Sequence, residues 1–309
     1  MTFIKRVPLA IGGLALSLAA TGNLLFPYGE WVRVVCDSLS AALLTLLFLR
    51  IALDFKAVCA ELRHPAALSV MPTASQALMV LSAYVHSQLH PQLNTIAHVI
   101  WYLAVAAQLA LMALFAARFV RGFKLENVYP GWFVAFTGIV TVSVTAPVMD
   151  ALPLGQTALI AGLILYPIAL LLVVWRMVKL GPLPGPLRPT IATFTAPLSL
   201  SIVGYFLAFE QQNVTLLTIL AICAVACYLY VTANMPKLLR LKFYPSCSAF
   251  TFPYVISATA FKWLNGFLIE RGYRFFQPVQ KVSEWIAVAL VLYVLVRYLL
   301  LIATPPSCE

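Results

Sequence analysis

An apolar stretch over residues 244–266 combines a proline with two phenylalanines and several hydroxyl side chains. Pro253 removes a backbone donor and clashes with the turn before it, so a helix over this stretch is predicted to kink. Phe250 and Phe252 come just before the kink. A helix that faces only lipid needs neither feature, whereas irregular helices are tolerated where they line a cavity. The stretch therefore indicates a helix beside a narrow polar path.

Few other side chains have a type and spacing suited to chemistry. Asp37 lies within an apolar segment, where an ionisable group is a candidate for function, and it is our candidate for proton coupling. His86 and His90 are four residues apart, a spacing that can hold a metal ion on one helix face. Because no carboxylate is close to them in the sequence, we favour a polar cap at the membrane interface and predict no metal site.

Catalysis is not indicated by the sequence. It holds no nucleophile–base pattern, no glycine-rich phosphate loop and no metal triad. The six cysteines are scattered without C-x-x-C spacing and are typical of small packing residues. We therefore predict no catalytic residue and no cofactor.

Composition places the chain in a membrane. Of the 309 residues, 62% are hydrophobic and 10% are charged, and the mean hydropathy is +0.95. Soluble domains carry roughly 25% charged residues, so this depletion predicts a polytopic protein in contact with the lipid bilayer. The net charge of +10 is spread over short loops, and a nucleic-acid partner is not predicted.

We predict a single transporter or channel domain over residues 1–309, with an all-α fold of ten transmembrane helices. About 20 residues cross a hydrocarbon core of about 30 Å, and ten apolar segments come near that length. They cover residues 7–25, 31–53, 67–87, 94–117, 130–149, 155–177, 190–209, 213–235, 245–268 and 282–303.

Lysine and arginine residues collect at five alternate positions, namely before segment 1 and after segments 2, 4, 6 and 8. We predict a multi-pass protein of the cell membrane. By the positive-inside rule, both of its termini are predicted to be cytoplasmic. The loop between segments 9 and 10 disagrees, because it carries Arg271, Arg274 and Lys281. Five positions outweigh one, so we keep this orientation.

Prolines fall mainly in the odd-numbered segments, followed by small or hydroxyl residues, while the even-numbered segments are plainer. This pattern predicts five helical hairpins around a central pore, with odd helices inside and even helices outside. An equally weighted alternative is that these residues only allow close helix packing. The predicted kink and pore-lining residues are Pro8, Gly12, Pro72, Ser75, Pro197, Ser201, Pro253 and Ser257.

Five stretches along the chain carry a family resemblance. They are VPLAIGGLALSLAATGNLL, AELRHPAALSVMPTASQ, IWYLAVAAQLALMALFAARF, RPTIATFTAPLSLSIVGYF and AFTFPYVISATA. In these stretches the chain resembles the tellurite-resistance/dicarboxylate transporter family, which includes the slow-type anion channels of plant guard cells and the fungal malate and sulphite transporters. The resemblance implies a homotrimer whose protomers each hold a pore lined by five inner helices. It also implies that a phenylalanine beside the kink of the ninth helix blocks the pore, which is Phe252 here, with Phe250 as the nearby alternative.

Two transport functions follow as expectations. The first is a channel that passes small anions, inorganic or dicarboxylate, through a weakly polar pore blocked by a phenylalanine. The alternative is a proton-coupled transporter of C4-dicarboxylates of the malate type, or of an oxyanion such as sulphite or tellurite. The sequence holds no run that separates channel members of the family from permease members.

Overall fold

The computed structural model describes residues 3–88 and 91–303, and every regular element within them is helical. The prediction of an all-α fold is therefore confirmed for this part of the chain. His90, one of the two histidines weighed above, lies outside the described residues.

Thirteen α-helices form in the described residues, with short 3-10 and π-helical stretches between them. They are α1 (Ile11–Leu25), α2 (Glu30–Leu53), α3 (Phe55–Glu61), α4 (Pro65–Val70), α5 (Pro72–Gln88), α6 (Asn94–Phe115), α7 (Gly131–Thr137), α8 (Thr141–Thr145), α9 (Leu152–Leu180), α10 (Ala196–Ala208), α11 (Val214–Leu239), α12 (Phe252–Ile269) and α13 (Gln277–Ala303).

Eight helical stretches of the described chain are long and apolar enough to cross a bilayer. The fifth predicted segment, Gly131–Thr145, is apolar but shorter. The ninth, α12, is not among the eight, and it carries Lys262 and Asn265 in its second half. The protein is thus a multi-pass helical membrane protein.

The odd-numbered segments are the irregular ones, as their prolines predict. Pro72 starts α5 directly after α4, and Pro197 and Pro253 lie in the first turns of α10 and α12. The chain before α10 forms a 3-10 helix over Gly185–Thr195, and the chain before α12 forms one over Pro245–Phe250. Proline lacks the backbone N–H that a continuous α-helix requires, so each helix restarts at these points.

We call five parts of the chain the buried segments, because most of their residues are shielded from the surroundings. They are α1, α4 with α5, α7 with α8, the 3-10 helix Gly185–Thr195 with α10, and the 3-10 helix Pro245–Phe250 with α12. In α1, α4–α5 and Gly185–Ala208, 67–78% of the most apolar stretch is buried, against 28–33% in α2, α6, α9, α11 and α13. The exposed faces of the latter five helices are largely leucine, isoleucine and valine, which suits contact with lipid.

Contacts among the buried segments form a closed cycle. Helix α1 packs on α5, α5 on α8, α8 on α10, α10 on α12, and α12 again on α1. Each of the more exposed helices packs on the buried segment that precedes it in the chain, as α2 does on α1 and α13 does on α12.

Gly204 allows one of the close approaches in this cycle, and its substitution gives a first test of the packing. A Cβ at Gly204 of α10 would lie 2.0 Å from Ser143 Oγ of α8. We expect Gly204→Ala to lower stability by about 1–3 kcal/mol, the usual cost of forcing a methyl group into a packed core. The measurement is thermal unfolding of the purified protein in detergent.

Gly266 of α12 supplies the matched control for that substitution. A Cβ there would meet no atom within 4 Å. Alanine also favours a helix over glycine by roughly 1 kcal/mol, so Gly266→Ala should be neutral or stabilising. Equal destabilisation by both changes would contradict the close approach of α8 and α10.

Candidate functional site

Two cavities lie between the buried segments, one after the other. The first has a volume of about 60 Å³, and the second has a volume of about 280 Å³. All five buried segments contribute residues to the lining of both cavities.

The order of the lining residues gives the direction of the segments. In α5, Thr73 and Gln76 line the first cavity, whereas Val80 and Ala83 line the second. The same order holds in the other four segments, where the lower-numbered residues always line the first cavity. The five buried segments therefore run in the same direction along the line that joins the cavities.

Phe252 and Leu200 are the two residues that line both cavities. Phe252 is partly exposed, which fits a ring that borders open space on two sides. Phe250, in contrast, is 1% exposed and lines neither cavity. Of the two phenylalanines singled out from the sequence, the structure brings Phe252 alone to the boundary between the cavities.

The backbone around Thr251 explains why the two rings point apart. Thr251 has φ −94° and ψ −81°, outside the regular helical region, and it joins the 3-10 helix to α12. Its side-chain hydroxyl donates to the carbonyl of Ser248 at 2.7 Å, which closes the preceding turn. The α-helix begins at Phe252 with Pro253 in its first turn, so the chain changes from a 3-10 helix to an α-helix between Phe250 and Phe252.

The wall of the first cavity is mainly apolar, and its few polar side chains offer few free donors. Thr73 Oγ1 donates to the carbonyl of Val70 at 2.6 Å, and Thr193 Oγ1 donates to the carbonyl of Pro130 at 3.0 Å. Gln76 Nε2 lies 3.3 Å from Gln108 Oε1. Because these hydroxyl and amide protons are hydrogen-bonded within the protein, the wall can contact a permeating solute without binding it tightly.

Several residues predicted to line the pore lie elsewhere. Pro197 and Pro253 do line the first cavity, but Pro8, Gly12, Pro72, Ser75, Ser201 and Ser257 line neither cavity. Ser75 Oγ contacts Gln108 Oε1 of α6 at 2.9 Å. Ser257 Oγ lies 3.0 Å from Ser199 Oγ of α10, and Ser201 donates to the carbonyl of Pro197 at 2.8 Å.

Three of these residues, Gly12, Ser75 and Ser257, lie at contacts between helices. A Cβ at Gly12 would lie 2.8 Å from Thr73 Oγ1, so glycine here allows α1 to approach α5. The sequence identifies the irregular segments, whereas the lining of the first cavity comes from their neighbours Gly13, Thr73 and Leu200. The pore-lining assignment stays a prediction for Pro8, Gly12, Pro72, Ser75, Ser201 and Ser257.

Arg33 lines the second cavity and is the one charged side chain among the described residues that line either cavity. It extends from α2, and its guanidinium lies 4.5 Å from the ring centre of Tyr84 and 5.4 Å from that of Phe26. Gly22 of α1 leaves room for it, since a Cβ there would lie 3.3 Å from Arg33. No acidic side chain accompanies Arg33 in the lining of the two cavities.

Asp37 lies behind Arg33 and away from both cavities. It is buried, with its Oδ2 atom 3.7 Å from Arg33 Nε. Neither of its carboxylate oxygens has a hydrogen-bond partner among the described residues. A charged pair in a low-dielectric region attracts strongly, so Asp37 reduces the positive charge that Arg33 presents to the cavity.

The whole arrangement agrees with a comparison of the sequence with known families. Residues 5–299 match the family profile described as voltage-dependent anion channel. The chain belongs to this family. The description of the family names a channel as the kind of protein and anions as its solutes.

Two curated relatives of the chain are named as transporters. One uncharacterized transporter of Methanocaldococcus jannaschii is 27% identical over 162 residues, which are 48% of this chain and 46% of the relative. A second uncharacterized transporter of the same organism is 26% identical over 163 residues, or 47% and 45% of the two chains. The match thus spans about half the length of these relatives.

Arg33 is the residue of this voltage-dependent anion channel homologue that sequence reasoning missed. The available signal was an arginine four residues before an aspartate in the first half of a mainly apolar helix. The sequence does not show that α2, a helix with a largely exposed face, sends this one side chain inward past Gly22.

Proposed function

We propose that this protein conducts small anions across the membrane through a pore between the five buried segments, with Phe252 as its gate. The observation that carries the proposal is the position of Phe252, which borders a cavity on each side. A ring at such a boundary fills the lumen, and its apolar surface makes the remaining gap hard to wet.

The charges around the cavities support an anionic solute. No acidic side chain lines either cavity in the described chain, and Arg33 adds a positive charge to the second one. An anion that passes the gate sheds part of its hydration shell, which is costly unless nearby groups compensate. Arg33 attracts the anion toward the path, and a wall with few free donors binds it weakly, which favours rapid exit.

We further propose the finer architecture as ten transmembrane helices in five hairpins, with the odd helices inside and the even helices outside. The cyclic contacts of the buried segments and the lipid-like surfaces of the other helices support it. The same proposal places the protein in the cell membrane with cytoplasmic termini, which the loop charges support. It also includes a homotrimer, which the family resemblance supports.

Thiol labelling tests this architecture. In a background with all native cysteines replaced, Ala249→Cys in the first cavity and Val144→Cys in the second should react with small water-soluble thiol reagents. Ile164→Cys on α9 and Ile222→Cys on α11, whose native side chains are 59% and 64% exposed, should not react, because lipid covers those faces. Equal labelling of the two pairs would contradict the pore assignment.

A second candidate function is proton-coupled transport of a C4-dicarboxylate or of an oxyanion such as sulphite or tellurite. The observation in its favour is Asp37, a buried carboxylate beside Arg33 for which the described part of the chain supplies no hydrogen-bond partner. A group of this kind can carry a proton if its charge changes during transport.

Flux measurements in proteoliposomes separate the two functions. For a channel, anion flux follows the imposed potential whether or not a pH gradient is present, and monovalent anions pass with modest discrimination. Coupling to protons would instead give uphill anion uptake driven by a pH gradient alone, and Asp37→Asn would abolish that uptake. Saturation at low concentration by one carboxylate would also favour the transporter.

A further inference from the structure

Two histidines and one aspartate meet at the rim of the second cavity, although they come from three separate parts of the sequence. His86 lies near the end of α5, His98 in the second turn of α6, and Asp150 in the connection between α8 and α9. The potential ligand atoms of the three side chains all lie within 4.8 Å of one another. We propose that His86, His98 and Asp150 form a binding site for a divalent transition-metal ion of the Zn²⁺ type.

The hydrogen bonding of His98 prepares it as a ligand. Its Nδ1 atom lies 2.9 Å from the carbonyl oxygen of Asn94. A carbonyl can only accept, so Nδ1 carries the proton, and in the neutral ring the lone pair is left on Nε2. Metal-binding histidines commonly fix their orientation through such a bond from the other ring nitrogen.

The remaining two ligands are held against His98 by local structure. The rings of His86 and His98 are 4.6 Å apart between centroids and nearly perpendicular, at 86°. Asp150 has φ 52°, the one positive φ among the described non-glycine residues, and it ends the turn that follows α8. This left-handed conformation directs the carboxylate back toward the end of α5.

The ligand set selects the class of ion. Two imidazoles and a carboxylate suit Zn²⁺ and its neighbours, whereas Mg²⁺ and Ca²⁺ favour oxygen ligands alone. Zinc bonds of about 2.0–2.1 Å bring tetrahedral ligands closer than 4.8 Å, so side-chain rotations must close the site around the ion. Both histidines are partly exposed and Asp150 is exposed, which leaves a path for the ion and a fourth position for water.

The ion would join three elements of the cavity rim. Ser87, next to His86, and Val148, two residues before Asp150, both line the second cavity. Binding to the folded state alone raises stability in proportion to the logarithm of the free metal concentration. The metal site is independent of the proposed conduction of anions, because it is inferred from the positions of His86, His98 and Asp150 alone.

The test is titration of the untagged, full-length protein in detergent with Zn²⁺, after treatment with a chelator. Calorimetry should give one Zn²⁺ per chain, and the unfolding temperature should rise with Zn²⁺ concentration. Loss of an outer-shell partner of a metal ligand lowers metal affinity by about 10–100-fold. Asp150→Asn and His98→Ala each remove a ligand, so each should weaken Zn²⁺ binding by at least that factor.

His64→Ala is the matched control, since His64 is an exposed histidine before α4 and should leave binding unchanged. If His98→Ala does not fold, His86→Gln takes its place. Unchanged Zn²⁺ affinity in Asp150→Asn and in a folded histidine variant, or no binding to the wild-type protein, would overturn the proposal.

Discussion

Replacing Phe252 by alanine should raise anion conductance by about tenfold or more. The ring separates the two cavities, and its removal joins them into one wetted path. An anion then keeps more of its hydration shell, and each 1.4 kcal/mol or so taken from the barrier increases the rate by about a factor of ten. The measurement is anion current or flux in liposomes under an imposed potential, with the protein shown to be folded by its unfolding transition.

Phe250→Ala is the control for that experiment, because Phe250 is two residues away, fully buried and outside both cavities. We expect it to lower stability by about 3–5 kcal/mol through the cavity it leaves, without opening the path. Leu200→Ala should increase conductance in the same direction as Phe252→Ala, since Leu200 also borders both cavities. Unchanged flux in a folded Phe252→Ala protein would mean that the ring packs and does not gate.

The second large effect should come from Arg33. Replacing Arg33 by glutamine removes the one charge that faces the second cavity among the described lining residues. At about 5 Å and an effective dielectric constant of about 20, that charge attracts a monovalent anion by about 3 kcal/mol before screening. We expect Arg33→Gln to lower anion flux severalfold in dilute salt and by less in concentrated salt, where mobile ions screen the charge.

Asp37→Asn should act in the opposite direction. Its carboxylate lies 3.7 Å from Arg33, so its removal leaves the guanidinium charge without its neighbour and strengthens the attraction for anions. Arg121→Gln is the control, as Arg121 is exposed and far from the cavity lining in the connection after α6. Equal, salt-independent losses in Arg33→Gln and Arg121→Gln would contradict a role for Arg33 in attracting anions.

The sequence was sufficient for the helical membrane fold and for the location of its irregular points. Prolines mark where α5, α10 and α12 restart. The missing N–H interrupts a helix locally, and this effect does not depend on how the helices pack together. The boundary residue Phe252 was also accessible, through the resemblance of AFTFP to a family whose members place a phenylalanine there.

The faces of the buried helices could not be predicted in the same way. Successive helical residues turn by about 100°, so Thr73 and Ser75 lie on different sides of α5, and both are small and polar. In a helix covered on all sides, no hydrophobic stripe tells which side faces a cavity. The proximity of His86 to Asp150 was equally hidden, because it depends on how segments far apart in the chain pack together.

The common direction of the five buried segments has an electrical consequence. Each α-helix carries a dipole equivalent to about half a positive charge at its amino end. Helices α5 and α10 begin with residues that line the first cavity, and α12 begins at Phe252 itself, so the three positive ends gather at the first cavity and its boundary. Because the buried segments of the described chain all run in one direction, their fields add instead of cancelling, and the path has a built-in polarity. Currents carried by the same anion at equal and opposite voltages should therefore differ in size, so the pore should rectify.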